Sequence, residues 1–94
     1  MRVVLRDSAL EDLDRIYAWI SKDNPPAAAD MVSRIRDQIS FLEIDALAHT
    51  GRPGVVAGTR ELIEYPYIIV YQVEDDSRQV VVLGIFHGAQ KREP

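Results

Sequence analysis

Residues 65–88 read YPYIIVYQVEDDSRQVVVLGIFHG, two apolar runs separated by a short polar segment. Both runs are rich in Val, Ile and Tyr, which favour strands, and the DDS between them is typical of a tight turn. Alternation in the first run puts apolar side chains on both faces: Tyr67, Ile69, Tyr71 and Val73 on one, Ile68 and Val70 with Gln72 on the other. The stretch therefore predicts a β-hairpin with a central first strand and helices on at least one side.

The second run predicts the orientation of a candidate functional residue. Strict alternation would place Val81, Leu83, Ile85 and His87 on the same face of the strand. His87 is then expected to be a half-buried histidine bonded to the backbone.

Two helices are predicted before the hairpin. Ser8 and Glu11 fit a capping box, and apolar residues then recur at helical spacing, at Leu10, Leu13, Ile16, Tyr17 and Ile20. The acidic residues Glu11, Asp12 and Asp14 fit a solvated helix start, where the helix dipole favours negative charge.

A second helix follows after a short link. Asn24 is a candidate N-cap and Pro25 suits the first helical position. We expect this helix to end between Asp45 and Gly51, with an apolar face formed by Val32, Ile35, Ile39, Leu42 and Ala46. Because the link is short, the two helices should pack as an antiparallel hairpin.

The remaining strand signals complete the predicted fold. The segment RVVLR at 2–6 predicts an N-terminal strand at the edge of the sheet, and RELIE at 60–64 predicts a strand before the hairpin. The expected fold is α+β: an N-terminal strand, an antiparallel helical hairpin, and a three-stranded antiparallel β-meander in one small sheet. With 94 residues, the chain fits a single domain.

Composition limits the classes of function. The chain has no cysteine and two histidines, which excludes disulfides and thiolate metal sites, and we expect no metal and no cofactor. No apolar run approaches the roughly 20 residues of a membrane span, and the N-terminus does not fit a secretory signal, so a cytoplasmic protein is expected. A net charge of −4 argues against a dedicated duplex nucleic-acid binder.

The segment GRPGVVAGTREL at 51–62 connects the second helix to the sheet. As a plain connection, it would use Gly51 in the left-handed conformation to end the helix and Pro53 to stiffen the turn. Alternatively, the turn positions Arg52 and Arg60 for a functional contact. For Arg60, the structural alternative is a salt bridge to Glu64 or Asp75.

Taken together, these segments resemble the RelE/ParE superfamily, the toxins of bacterial type II toxin–antitoxin modules. The resemblance covers nearly the whole chain and is carried by GRPG at 51–54, GTREL at 58–62, YIIVYQV at 67–73 and FHGAQ at 86–90, in that order and spacing. It implies a compact α+β fold and a cognate, ParD-like antitoxin that folds on binding, giving a hetero-oligomer.

The resemblance leaves two activities open. RelE-like members cut messenger RNA on the ribosome without a metal, whereas ParE-like members poison DNA gyrase. RelE-like nucleases carry an arginine three residues before the tyrosine of the central strand, and Ile68 occupies that position here. An isoleucine cannot hold a phosphate, so the ParE-like activity is favoured.

Candidate site residues follow from both activities. In the nuclease alternative, catalysis would fall to Arg60, His87 and Arg52. In the binding alternative, the candidates for contact with target or antitoxin are Leu13, Tyr17, Trp19, Arg60, Gln90, Lys91 and Arg92. Trp19 is expected either to pack in the helical hairpin or, if it faces outward, to anchor an interface. A third possibility is a family member without toxicity that serves as an antitoxin-binding module.

Overall fold

The computed structural model describes residues 1–89 and contains two long helices and five strands. In chain order the elements are β1 (Arg2–Leu5), α1 (Asp7–Ser21), α2 (Pro25–Phe41), a short 3-10 helix (Asp45–Leu47), β2 (Arg52–Pro53), β3 (Arg60–Glu64), β4 (Tyr67–Glu74) and β5 (Gln79–His87). The candidate contact residues Gln90, Lys91 and Arg92 lie outside the described residues.

The five strands form one mixed sheet in the order β1-β5-β4-β3-β2. The predicted hairpin is confirmed, since β4 pairs antiparallel with β5 and with β3 and is therefore central. The observed sheet differs from the expected three-stranded antiparallel meander in two respects. First, β1 lies at the edge as expected, but it is parallel to its neighbour β5, from which it is separated by most of the chain. Second, β2 adds a strand of only two residues, which is too short to show an alternating pattern in the sequence.

One face of the sheet carries the hydrophobic core. The two helices cover this face, and their buried side chains pack on the inward-pointing residues of β4 and β5, the largest fully buried ones being Tyr71, Ile35, Leu42, Ile69, Val80 and Val82. Successive side chains of a strand point to opposite faces, so Ile68 and Val81 belong to the other face. We call that face, turned away from α1 and α2, the open face.

α2 begins as predicted but ends early. The Asn24 side chain accepts a hydrogen bond from the Ala27 N–H at 3.0 Å, and Pro25 opens the helix. The helix ends at Phe41 instead of between Asp45 and Gly51, because the chain turns at Leu42 and then forms the separate 3-10 helix. Ala46 is therefore exposed and not on the apolar face of α2.

α1 starts differently from the prediction. Its N-cap is Arg6, without a side-chain cap, and Ser8 lies inside the first turn, so the capping box of Ser8 and Glu11 does not form. The Ser8 hydroxyl instead donates to the Leu83 carbonyl at 2.7 Å. Leu10 and Tyr17 are exposed, which leaves a narrower buried face than the sequence spacing predicts.

A β-bulge in β5 reverses the alternation of its second half. Tyr71 pairs with Val82 while Val70 pairs with Gly84, so Leu83 is the extra residue. After the bulge, Ile85 packs in the core on the same face as Val80 and Val82. His87 follows Ile85 by two residues and lies on the helical face, so the predicted shared face of Val81 and His87 is wrong.

Asp12 fixes the bulge to α1. Its carboxylate accepts the Ile85 N–H at 2.9 Å and the Arg15 guanidinium at 2.8 Å, and the residue is only 9% exposed. The expectation of a solvated Asp12 is therefore wrong. The side chain satisfies a backbone donor that the bulge removes from the ladder, and with Ser8 it ties one helix to one strand.

Candidate functional site

The open face carries a row of apolar side chains near the start of β4. Ile63, Ile68 and Phe86 lie side by side across β3, β4 and β5, because Ile68 pairs with both neighbours in the strand register. Ile68 is 6% exposed, whereas Ile63 is exposed and Phe86 half-buried. The chain turns back at Gly88, where an added Cβ would lie 4.0 Å from Ile68 Cδ1. We call Ile63, Ile68 and Phe86 the apolar row.

Beside the apolar row the open face carries an ion pair. Arg52 on β2 donates from Nε to Oε1 of Glu61 at 3.0 Å, and its Nη2 forms an ion pair with the same oxygen, also at 3.0 Å. Glu61 is only 4% exposed. Glu61 pairs with Arg52 across β2 and β3, and with Val70 across β3 and β4. The guanidinium of Arg52 is thus bound to a carboxylate of the same chain, two residues along β3 from Ile63 of the apolar row.

Arg60 holds a loop in place. It pairs with Tyr71 and therefore points to the helical face, where its Nη1 donates to the carbonyls of His49 and Gly51, both at 3.0 Å. The alternative of a salt bridge to Glu64 or Asp75 is wrong. Glu64 instead contacts Gln38 and Arg34, and Asp75 contacts His49.

The end of β5 forms a notch under α1. His87 lies edge-on to Tyr67 with ring centroids 5.6 Å apart, and its Nδ1 accepts the Ala89 N–H at 3.0 Å. His87 is exposed instead of half-buried, although the predicted backbone bond is present. The notch is a cavity of about 410 Å³ lined by Asp12, Arg15, Ile16, Trp19, Tyr67, Ile85 and His87. Burial raises the pKa of the Tyr67 phenol.

The structure separates the three residues of the nuclease alternative. Arg52 is on the open face, while Arg60 and His87 are on the helical face. Arg60 and His87 lie on opposite sides of β4 and pair with Tyr71 and Tyr67, which are four residues apart, so their backbones are roughly 16 Å apart. No single phosphate could contact all three residues in this arrangement.

The candidate binding residues of α1 differ in accessibility. Leu13 is buried in the core, where its side chain packs with the sheet. Tyr17 is 45% exposed and Trp19 is 68% exposed, so Trp19 faces outward and does not pack within the helical hairpin. The ammonium group of Lys22 lies 5.3 Å from the Trp19 ring centroid, within reach of a cation–π contact.

Sequence reasoning missed Asp12, Arg15, Glu61 and Tyr67 as site residues. The signal for Asp12 was indirect: Gly84 interrupts an apolar run, and a glycine inside a strand often marks a bulge. The burial of Glu61 had no signal in the sequence, because it depends on the pairing of the very short β2.

Among residues 1–89 there is no group of three or more His, Asp or Glu side chains arranged to hold a metal ion. No helix in that range has the length and apolar character needed to cross a membrane.

Sequence comparison identifies the class of proteins to which the chain belongs. Residues 3–92 match the family model described as ParE toxin of type II toxin-antitoxin system, parDE. The Sinorhizobium fredii (strain NBRC 101917 / NGR234) protein Y4kP, which is named as a candidate toxin, is 44% identical over 88 residues, covering 88% of this chain and 83% of Y4kP. The chain belongs to the ParE toxin family of type II toxin–antitoxin systems.

Solved structures agree with this assignment. A chain from the chromosomal ParDE system of P. aeruginosa is 28% identical with a TM-score of 0.78, over 93% of this chain and 95% of that one. A chain of the RelBE2 toxin–antitoxin complex of Mycobacterium tuberculosis is 21% identical with a TM-score of 0.67, over 92% and 95% of the two chains. The second likeness shows the shared RelE/ParE fold alone.

Proposed function

We propose that this toxin acts by binding and poisoning DNA gyrase, not by cutting RNA, and that a ParD-like antitoxin neutralises it in a hetero-oligomer. The observation that carries the proposal is the centre of the open face. There the apolar row occupies the place where metal-free RNA cleavage would need a cation to stabilise the phosphorane. An apolar surface can exclude water from a protein interface but cannot neutralise a phosphate.

Two further observations support binding over cleavage. Glu61 lies on the open face two residues from Ile63 of the apolar row, and the guanidinium of Arg52 is bound to its carboxylate. The candidate catalytic residues Arg52, Arg60 and His87 are divided between the two faces of the sheet. The likeness to a ParDE chain points in the same direction and also supports the antitoxin as a partner.

Purified toxin tests the proposal directly. Incubation with DNA gyrase, ATP and supercoiled plasmid should produce trapped double-strand breaks, whereas messenger RNA on programmed ribosomes should stay intact. RNA cleavage at the ribosomal A site would overturn the proposal in favour of the endoribonuclease alternative. Normal growth after induction, without either activity, would favour a non-toxic antitoxin-binding module.

A matched pair of variants locates the activity on the open face. Ile63→Glu introduces a charge into the apolar row, and we expect at least about a tenfold loss of gyrase poisoning. Leu10→Glu changes a similarly exposed residue of α1, on the helical side of the sheet, and should keep wild-type potency. Equal potency of the two variants would contradict gyrase contact through the apolar row.

A further inference from the structure

The turn between β3 and β4 presents an aromatic side chain to solvent. At 84% exposure, Tyr65 is the most exposed of the large hydrophobic side chains in residues 1–89. Moving an aromatic ring from water to an apolar site releases free energy in proportion to the area buried, and within the fold Tyr65 buries very little of its area. The ring is therefore available for contact with another molecule.

The turn adjoins the apolar row. Its two strands carry Ile63, two residues before Tyr65, and Ile68, three residues after it. The end of β5 is bonded to the same turn, because the Gly88 N–H donates to the Pro66 carbonyl at 2.7 Å. Tyr65 thus extends the apolar row and is not an isolated exposed side chain, and a continuous apolar surface of this kind marks an interaction site.

The backbone that carries Tyr65 is held from several sides. β3 and β4 pair up to the residues on either side of the turn, so that the turn itself contains only two residues. One of these is Pro66, whose ring fixes its φ angle. The side chain of Gln38 on α2 donates to the Ile63 carbonyl at 2.7 Å and fixes the end of β3. An exposed ring on a fixed backbone loses little conformational entropy when it is bound.

The charge around the turn indicates the chemistry of the ligand. Residues 62–68 read LIEYPYI and contain one charged residue, Glu64, whose carboxylate contacts Gln38 and Arg34. A nucleic acid would need cations at this point to neutralise its phosphates, and this segment carries none. A projecting aromatic ring beside an uncharged apolar row instead complements an apolar pocket in a folded protein.

We infer that Tyr65 is the anchor of target recognition: its ring inserts into an apolar pocket of a DNA gyrase subunit, and the apolar row packs against the rim of that pocket. This inference rests on the proposed function and names the chemistry of the contact. The phenol has an apolar body and a polar end, so the pocket should carry a hydrogen-bonding group at its far end.

Variants of purified toxin test the anchor. Tyr65→Ala removes the ring, and we expect at least about a tenfold loss of both gyrase binding and gyrase poisoning. Tyr65→Phe keeps the ring and should stay within about fivefold of wild type, since it loses one hydrogen bond. Phe41→Ala is the matched control, because Phe41 is an aromatic residue of α2, 56% exposed on the helical side, and its potency should equal wild type. Urea unfolding should be unchanged in Tyr65→Ala, because the residue is exposed.

Photocrosslinking supplies a readout that a purely structural role would not change. With p-benzoylphenylalanine in place of Tyr65, irradiation of toxin, gyrase and plasmid should attach the toxin to a gyrase subunit. The same amino acid in place of Phe41 should give no such product. Mass spectrometry of the crosslinked peptide should place apolar gyrase residues at the point of attachment.

The outcomes separate the inference from the proposed function. Wild-type binding and poisoning by Tyr65→Ala, or an equal loss in Phe41→Ala, would overturn Tyr65 as the anchor and leave the gyrase target standing. Crosslinks from position 65 to plasmid DNA or to a second toxin molecule would overturn the gyrase pocket in favour of those ligands. A wild-type toxin that neither binds nor poisons gyrase would remove the proposed target, and the inference with it.

Discussion

At the scale of single residues, the GRPG segment is explained by contact distances. The Gly51 N–H donates to the Tyr71 hydroxyl at 2.9 Å, and this bond is buried. Gly51 does not have a positive φ, so the predicted left-handed helix end is wrong there; among residues 1–89 the one glycine with positive φ is Gly58, at 86°. Gly51 is needed because a side chain would meet the phenol of Tyr71.

We predict that Gly51→Ala destabilises the fold by about 1–3 kcal/mol, as expected for overpacking. A Cβ at this position would lie 2.6 Å from the Tyr71 hydroxyl and 2.9 Å from the Glu61 carbonyl. Urea unfolding followed by circular dichroism measures the change. Tyr71→Phe removes the nearest clashing atom, so its combination with Gly51→Ala should cost less than the sum of the two single variants. Strict additivity would contradict a clash with the hydroxyl.

At the scale of elements, the position of His87 depends on the bulge at Leu83. Without the extra residue, alternation from Val80 and Val82 would turn His87 to the open face. With it, His87 contacts Tyr67 and lines the notch. The bond from the Ile85 N–H to Asp12 therefore holds the bulge against α1, and the bulge determines which face of the sheet each later residue of β5 occupies.

We predict that Asp12→Ala destabilises the protein by about 1–3 kcal/mol, because it leaves the buried Ile85 N–H without its acceptor. Asp12→Asn keeps an oxygen for that donor and loses only the ion pair with the largely exposed Arg15, so its cost should be clearly smaller. Asp14→Ala, at an exposed site on the same helix, should change the free energy of unfolding by less than about 0.5 kcal/mol. Denaturant midpoints compare the three, and equal effects of Ala and Asn at position 12 would refute the role of the Ile85 bond.

At the scale of the whole molecule, contacts to two carboxylates make the stability depend on pH, and one of these carboxylates, Asp45, joins segments that are distant in the chain. Asp45 accepts from the α-amino group of Met1 at 2.6 Å and from Arg78, and these two bonds, the first being the larger cause, lower its pKa. The pKa of Glu74 is also lowered, chiefly by a hydrogen bond from Gln79 and further by Gln72. Both contacts favour the charged carboxylate in the folded state.

We therefore predict a loss of stability in acid. Because the folded pKa values of Asp45 and Glu74 lie below the ordinary values of 3.8 and 4.5, their contribution is complete above those values. It is lost as the pH falls through the lower, folded values. Thermal unfolding between pH 7 and pH 2.5 should show this fall, and it should be shallower in the double variant Asp45→Asn, Glu74→Gln. An identical pH profile of the double variant and wild type would contradict the assignment.

The sequence by itself determined the two helices, the central hairpin and the family. These depend on local signals, namely apolar periodicity, the Asn24 cap with Pro25, and the order of short motifs, all of which act within a few residues. It also identified Ile68 as the apolar residue that stands, three residues before Tyr71, where RelE-like nucleases carry an arginine. That inference needs only the identity of the residue and its position in the strand.

Only the tertiary structure decided which side chains meet. The parallel pairing of β1, the short β2, the bulge at Leu83 and the burial of Asp12 and Glu61 all depend on contacts between distant segments. One extra residue in β5 reverses the faces of everything after it, and strict alternation cannot foresee it. The grouping of Arg52, Arg60 and His87 came from the family resemblance, whereas their positions depend on these pairings: β2 places Arg52 beside Glu61 on the open face, and the bulge turns His87 to the helical face, where Arg60 lies on the opposite side of β4.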